Sequence, residues 1–305
     1  MIKINLDKRL LLLLPILSGA MWGSGGVFVR ILNSFGLNSV SILSTRVFGA
    51  SLILFILLMI FDRDSLKIKL KDLWLFIGSG VLGALLLNLC YNEAAFTLSL
   101  SLASLLLSLA PIFALVLSAI LFKEKITGRK LICLVITLIG CLFVSGLLET
   151  SNGFNWSTHG MIFGLASALF WALYGVFSKL ASNKGYSTFT IIFYTFLIIA
   201  ICLAPFTDWN TFGSFLVTNP GPHTLFAILH SVFTSILPYF LFSVALTNID
   251  NGKATILCSS AEPISATIFG ALIYLEIPSS LNILGIIISL IGLALLTKSN
   301  EIEDE

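Results

Sequence analysis

The chain has 305 residues, of which 57% are hydrophobic and only 10% are charged. Soluble domains carry about a quarter charged residues, so this composition excludes a cytosolic enzyme, a nucleic-acid-binding module, a disordered chain and a secreted disulfide scaffold. The lipid bilayer must solvate most of the surface. The formal net charge of +2 excludes nothing further, because 17 basic residues nearly balance 15 acidic residues.

Ten apolar runs follow one another along the chain, each close to the length of about 20 residues that a helix needs to span a membrane. They cover residues 10–32, 41–61, 73–95, 101–122, 131–148, 160–180, 188–206, 225–246, 253–274 and 281–297. We therefore predict an all-α integral membrane protein with ten transmembrane helices.

The basic residues predict the orientation of these helices. If every run crosses the membrane, fifteen of the seventeen Lys and Arg residues lie on one side. They are Lys3, Lys8, Arg9, Arg63, Lys67, Lys69, Lys71, Lys123, Lys125, Arg129, Lys130, Lys179, Lys184, Lys253 and Lys298. Because loops rich in Lys and Arg stay on the cytoplasmic side, we predict a multi-pass protein of the cell (plasma) membrane with both termini in the cytoplasm.

Two pairs of segments indicate an internal duplication. AMWGSGGVFVR at residues 20–30 aligns a tryptophan and a Gly-Val-Phe triplet with LFWALYGVFSK at residues 169–179. A proline is followed by a glutamate after 13 residues and by a glycine after 29 residues in both halves of the chain. These matched pairs are Pro111 and Pro263, Glu124 and Glu276, and Gly140 and Gly292. The chain is therefore predicted to consist of two five-helix repeats, residues 1–148 and residues 149–305, the second ending in a short acidic tail.

A repeat with an odd number of helices must insert the second copy upside down. The loop charges agree, because the connection after Glu124 reads KITGRK whereas the matching connection after Glu276 reads IPSSLN and carries no positive charge. Inverted-topology repeats are the architecture of alternating-access carriers.

These segments, with SLAPIFALVLSAILFKEKIT and SSAEPISATIFGALIYLEIPS, resemble the EamA-type branch of the drug/metabolite transporter superfamily, and the resemblance covers nearly the whole chain. It implies a secondary active transporter that moves a small organic metabolite, such as an amino acid or a related compound, with export expected. It also implies a central cavity lined mainly by helices one, three, four, six, eight and nine. Substrate, coupling ion and oligomeric state stay open.

Ionisable groups inside a bilayer are costly, so each is a candidate functional residue. Glu262 lies deepest, directly before Pro263, and is a candidate for proton coupling or for binding a cationic group. In its alternative role, its carboxyl group forms hydrogen bonds with backbone groups that Pro263 leaves unpaired. Arg46 and Glu93 lie near the external ends of the second and third helices and are a candidate gate pair, unless Arg46 extends to the headgroups. Arg30 is interpreted as an interfacial anchor.

Further candidates are polar or aromatic. Asn88, Tyr91 and Asn92 share one face of the third helix, which either lines a cavity or joins two helices. Four aromatic residues are candidates for the wall of a substrate pocket: Trp22, Trp171, Tyr174 and Tyr239. A structural role is favoured for the matched pair, Trp22 and Trp171. Three prolines are candidate hinges: Pro111, Pro238 and Pro263.

Two other classes of membrane protein are disfavoured. A membrane enzyme would need a nucleophile motif or clustered acids, and the sequence offers only the interrupted pair Asp62 and Asp64. A passive facilitator or channel usually repeats its polar residues around a pore, whereas these candidates differ between the halves. No cofactor or metal site and no ATP-binding GxxxxGK[ST] loop is predicted, so small-molecule substrate, lipid and candidate coupling protons are the expected partners.

Overall fold

The computed structural model describes residues 8–122, 127–144, 157–248 and 251–304, and every regular element within them is helical. We number the apolar helices α1 to α10 in chain order. They are α1 (Lys8–Gly23 and Gly25–Ser34), α2 (Ser39–Phe61), α3 (Leu73–Ile77, Gly78–Leu85 and Leu86–Thr97), α4 (Leu100–Leu107 and Ala110–Phe122), α5 (Gly128–Val144), α6 (Thr158–Asn183), α7 (Thr188–Leu203), α8 (Pro220–Ser231, Val232–Ile236 and Leu237–Asn248), α9 (Asn251–Tyr274) and α10 (Ser280–Asp304).

The lengths of these helices fit a membrane. Within the described ranges, seven helices are long and apolar enough to cross a bilayer, and three further apolar helices are shorter: Leu131–Val144, Thr188–Leu203 and Ser280–Leu295. Large apolar side chains such as Ile60 and Phe61 are exposed on the outside, where lipid rather than water suits them. The chain is a multi-pass membrane protein.

Several helices are less regular than the apolar runs predict. α1 is interrupted at Ser24, and α4 is interrupted just before Pro111, whose ring cannot continue the hydrogen bonding of the preceding turn. Pro263, by contrast, lies inside the continuous helix α9. Helix α10 continues into the acidic tail as far as Asp304.

Two helices contain π segments, which the sequence analysis did not predict. They are Gly78–Leu85 in α3 and Val232–Ile236 in α8. Pro238 is the second residue of the α-helical segment that follows the π segment of α8. In a π segment each amide bonds one residue further back, which widens the helix and is often found at functional sites.

Helices from the two halves of the chain pack against each other in matched combinations. α1 contacts α8 and α9, while α6 contacts α3 and α4; α2 contacts α8, while α7 contacts α3. Three further pairs join corresponding helices: α2 with α7, α4 with α9 and α5 with α10.

The glycines of the repeat pattern permit close contact between α5 and α10. A Cβ atom on Gly140 would collide with Ser289, and a Cβ atom on Gly292 would lie 2.8 Å from the amide nitrogen of Thr137. Each glycine therefore lets its helix approach the backbone of the other. Glu124, the third matched position of the first half, lies outside the described residues.

Replacing Gly292 with alanine should destabilise the protein by about 1–3 kcal/mol, because the added methyl group meets backbone that cannot move freely. The measurement is thermal unfolding in detergent. Gly213→Ala is the matched control, since it lies in the short helix Trp209–Thr218 and a Cβ atom there meets nothing within 4 Å. Equal melting temperatures for the two variants would contradict close packing at Gly292.

Candidate functional site

A central cavity of about 520 Å³ lies between the two halves of the chain. Residues from α1, α2, α3, α4, α6, α8 and α9 form its wall. The cavity is in the range of pockets that bind small molecules. It includes all six helices that the family resemblance implied, and α2 is added to them through Arg46.

Seven of the eight predicted binding residues lie in this wall: Trp22, Asn88, Tyr91, Trp171, Tyr174, Tyr239 and Glu262. The eighth, Asn92, is turned towards α2, where its side-chain amide donates to the carbonyl oxygen of Ser39 at 3.2 Å. Asn92 therefore joins two helices. Asn88 lines the cavity while its amide donates to the carbonyl oxygen of Ala84, at 2.6 Å, in the π segment of α3.

The aromatic residues of the wall form one continuous cluster that joins the two halves. The ring of Trp22 lies edge-on to Tyr239, with centroids 5.0 Å apart, and edge-on to Trp171, at 6.1 Å. Trp171 in turn stacks on Tyr174, with centroids 5.1 Å apart and planes inclined by 9°. These edge-on and stacked geometries are the ones that aromatic rings prefer, so the cluster gives the cavity wall an ordered apolar surface.

Three charged side chains, Arg46, Lys179 and Glu262, line the cavity from different helices. The phenol groups of Tyr91, Tyr174 and Tyr239 line the same cavity. The Nε atom of Arg46 is buried and has no hydrogen-bond partner among the described residues. Arg46 thus does not extend to the headgroups, and the cavity wall contains one acid, two bases and three phenols.

Arg46 and Glu93, the predicted gate pair, are not brought together in this conformation. The hydroxyl group of Ser39 donates to the carboxylate of Glu93, while Arg46 lines the cavity. The described ion pairs do not include either residue.

Arg30, interpreted from the sequence as an interfacial anchor, instead forms an ion pair. Its Nη1 atom donates to Oε1 of Glu276 at 2.5 Å, its Nε atom to the carbonyl oxygen of Ala95 at 2.8 Å, and its Nη2 atom to that of Leu98 at 2.6 Å. The guanidinium carbon also lies 4.7 Å from the ring centroid of Tyr274, a cation–π contact.

The other partner, Glu276, is held by the backbone. Its Oε2 atom accepts from the amide of Leu100 at 2.9 Å, and its own amide donates to the carbonyl oxygen of Gly270 at 3.0 Å. Leu275, directly before it, has a φ angle of 57°, an uncommon conformation for leucine that turns the chain after α9. The Arg30–Glu276 pair therefore fastens α1, α9 and the turn between α3 and α4.

The sequence contained a signal for this ion pair. The repeat alignment matches Arg30 with Lys179 and Glu276 with Glu124, so a base and an acid recur at the same corner of both repeats. Lys179 lies in the cavity wall, and Glu124 is outside the described residues. The described residues contain no group of three or more His, Cys, Asp or Glu side chains that could hold a metal ion.

Comparison with known proteins gives a family match over most of the chain. The model of the EamA-like transporter family matches residues 9–146 and, separately, residues 158–298. A solved crystal structure covers 98% of this chain and 100% of its own chain with a TM-score of 0.63, and at 15% identity this likeness shows the fold alone.

The proteins similar to this chain include three that are described as transporters or exporters. An uncharacterized transporter of Archaeoglobus fulgidus is 30% identical over 190 residues, which are 62% of this chain and 64% of the relative. A protein named riboflavin transporter, from Fusobacterium nucleatum, is 28% identical over 302 residues, covering 94% of this chain and 97% of its own. A protein named pseudopaline exporter, from Pseudomonas aeruginosa, is 32% identical over 135 residues, or 44% of each chain.

The Arg30–Glu276 pair should stabilise the protein measurably. In a double-mutant cycle with Arg30→Gln and Glu276→Gln, we expect a coupling energy of about 1–3 kcal/mol, because the bonds are charge-assisted and the side chains are only 17% and 25% exposed. Thermal unfolding in detergent measures it. The control pair, Asp64 and Lys67, is 87% and 78% exposed and should show coupling near zero. Similar coupling energies in both cycles would contradict a stabilising role of the Arg30–Glu276 pair.

Proposed function

Because the chain belongs to the EamA-like transporter family, we propose that it is a secondary active transporter that exports a small organic metabolite by alternating access. An amino acid or a related compound is the candidate solute. The cavity between the two halves carries this proposal, because its wall combines an aromatic cluster with single charged groups from several helices. The names of the relatives indicate transport rather than catalysis.

The proposed topology has ten crossings, both termini in the cytoplasm of the cell membrane, and two inverted repeats at residues 1–148 and 149–305. Two separate family matches support the duplication. The matched contacts of α1 with α8 and α9, and of α6 with α3 and α4, support a symmetric arrangement of the repeats. The side preference of Lys and Arg supports the orientation.

Alternating access requires the cavity to be closed on one side at a time. In the proposed topology, the Arg30–Glu276 pair lies at the external end and closes it. The cavity wall extends towards the opposite end as far as Lys179, near the end of α6. We therefore assign the external gate to Arg30 and Glu276, and the rocking movement must break this pair before the solute leaves. The interrupted helices at Pro111 and near Pro238 are proposed hinges.

Glu262 is the proposed coupling residue. It lies in the cavity wall, where its carboxyl group can meet both the solute and water entering the cavity. An ionisable group in this position can take up a proton in one conformation and release it in the other. Glu262 has no counterpart acid in the first repeat, because the matched position is Ala110, so the packing of the repeats does not require it.

Flux into proteoliposomes tests the transport class. A thermal-shift screen of the purified protein against amino acids, nucleosides and quaternary amines selects the solute. We expect saturable uptake with a steep temperature dependence, because a carrier changes conformation in every cycle. Ohmic current without saturation would contradict the proposal and indicate a channel.

The same assay tests proton coupling. Wild-type flux should change with an imposed pH gradient. The gradient-driven flux of Glu262→Gln should be at least tenfold lower than that of wild type, because an amide cannot carry the proton. Asp64→Asn makes the same chemical change in an exposed loop and should leave the flux unchanged. Gradient-driven flux that survives in Glu262→Gln would exclude this residue as the proton carrier.

Labelling from outside the cell tests the inverted topology at two matched corners. Ile277, between α9 and α10, is 82% exposed, and Arg129, at the start of α5, is also exposed. An impermeant maleimide should label Ile277→Cys in intact cells, and should label Arg129→Cys only after permeabilisation. The wild-type chain is the background control for its own cysteines. Labelling of both variants in intact cells would overturn the inversion.

A further inference from the structure

Arg46 is a half-buried cation whose hydrogen bonding is incomplete. Its Nε–H group is enclosed by protein and has no acceptor among the described residues. Arg30 is different, because two carbonyl oxygens and a carboxylate accept from its three nitrogen atoms. A buried donor without a partner costs free energy, more so on a charged group. The described contacts of Arg46 therefore do not account for a structural role, and its place in the cavity wall points to a ligand.

The charges around Arg46 do not neutralise it. The ion pairs of the described residues do not include Arg46. Glu262, the acid in the same cavity wall, is therefore not its counter-ion. The cavity leaves a place beside Arg46 for a negative group that the described part of the protein does not supply.

The other half of the chain confirms that packing alone does not require an arginine here. The repeat places Arg46 opposite the region of Thr195 in α7. Thr195 has a neutral partner, because its hydroxyl group lies 2.9 Å from that of Ser79 in α3. An uncharged pair thus fills the contact between α7 and α3. Arg46 is an addition to the repeat pattern, on the side that faces the cavity.

The wall around the cavity favours an aromatic solute. Trp22, Tyr239, Trp171 and Tyr174 present rings in edge and stacked arrangements, and a further ring can add to such a cluster with a gain beyond its buried area. The volume of about 520 Å³ accommodates a ring with a short substituent and several water molecules. The planar fork of a guanidinium group matches a carboxylate.

We propose that the cavity binds an aromatic carboxylate, with the carboxylate on Arg46 and the ring against the Trp22 cluster. This inference rests on the proposed transport function and narrows its substrate class. Arg46 is then the residue that selects anionic solutes over neutral ones of the same shape. The carboxylate supplies the counter-charge that the described part of the protein omits.

Binding to matched probes tests the inference without any measurement of flux. The probes are benzoate, phenylacetate and 3-phenylpropionate, each compared with its primary amide, which has the same shape without the charge. Calorimetry on the purified protein should give at least tenfold tighter binding of the best carboxylate than of its amide. In Arg46→Gln this preference should fall below about threefold, and Arg46→Lys should keep part of it.

Lys179→Gln tests the other basic residue of the wall, and Arg63→Gln is the control, because Arg63 is exposed and does not line the cavity. Both variants should keep the carboxylate preference. Each unliganded variant is first compared with wild type by thermal unfolding, so that loss of binding is separated from loss of folding. Absence of binding by all three carboxylates at millimolar concentration, equal affinity for carboxylate and amide in wild type, or a preference lost in Lys179→Gln but kept in Arg46→Gln would each overturn the inference.

The two proposals fail in different experiments. Carboxylate preference without flux would retain the binding inference and refute the transporter function. Saturable flux of a solute together with equal affinity for carboxylates and amides would retain the transporter function and refute the role of Arg46.

Discussion

The ion pair between Arg30 and Glu276 joins α1, the segment after α9 and the turn between α3 and α4, and the proposed closure of the cavity depends on it. Hydrocarbon offers no partner to a charged group, so a charge within the apolar helices needs a partner in the protein, in a ligand or in cavity water. Arg30 uses two backbone carbonyl oxygens and one carboxylate. Because these acceptors come from α3, from the turn before α4 and from the end of α9, one side chain determines how four helix ends meet.

The duplicated architecture explains the fold, and the departures from it explain the site. Matched glycines permit close contact between α5 and α10, and the matched tryptophans Trp22 and Trp171 touch across the two halves. The groups that can distinguish one solute from another have no such matches. Arg46 and Glu262 both face the cavity, and each corresponds to an uncharged position in the other half. A symmetric scaffold thus encloses an asymmetric binding surface.

Lipid makes much of this structure predictable from the sequence, because an apolar run of a given length has few alternatives to a helix. The cost of polar groups in lipid likewise identified Glu262, Asn88 and Tyr91, and the expectation of aromatic walls identified four more residues that line the cavity. Features set by neighbouring helices were missed. The π segments of α3 and α8 have no residue signature, and Asn92 shares a helical face with Asn88 yet bonds to Ser39 on α2. The contacts of Arg30 were missed because its acceptors, two carbonyl oxygens and the carboxylate of Glu276, belong to distant segments.

The gate proposed for Arg30 and Glu276 would have to hold the closed state and still be able to open, and the surroundings of the pair are compatible with both. A fully buried pair would leave uncompensated charges on separation, at a large cost in free energy. These side chains keep 17% and 25% of their surface exposed, so water can replace the lost partners if the ends separate. The left-handed conformation of Leu275, directly before Glu276, is a further cost in free energy. An ion pair whose partners water can replace is what alternating access would need from a gate at this position.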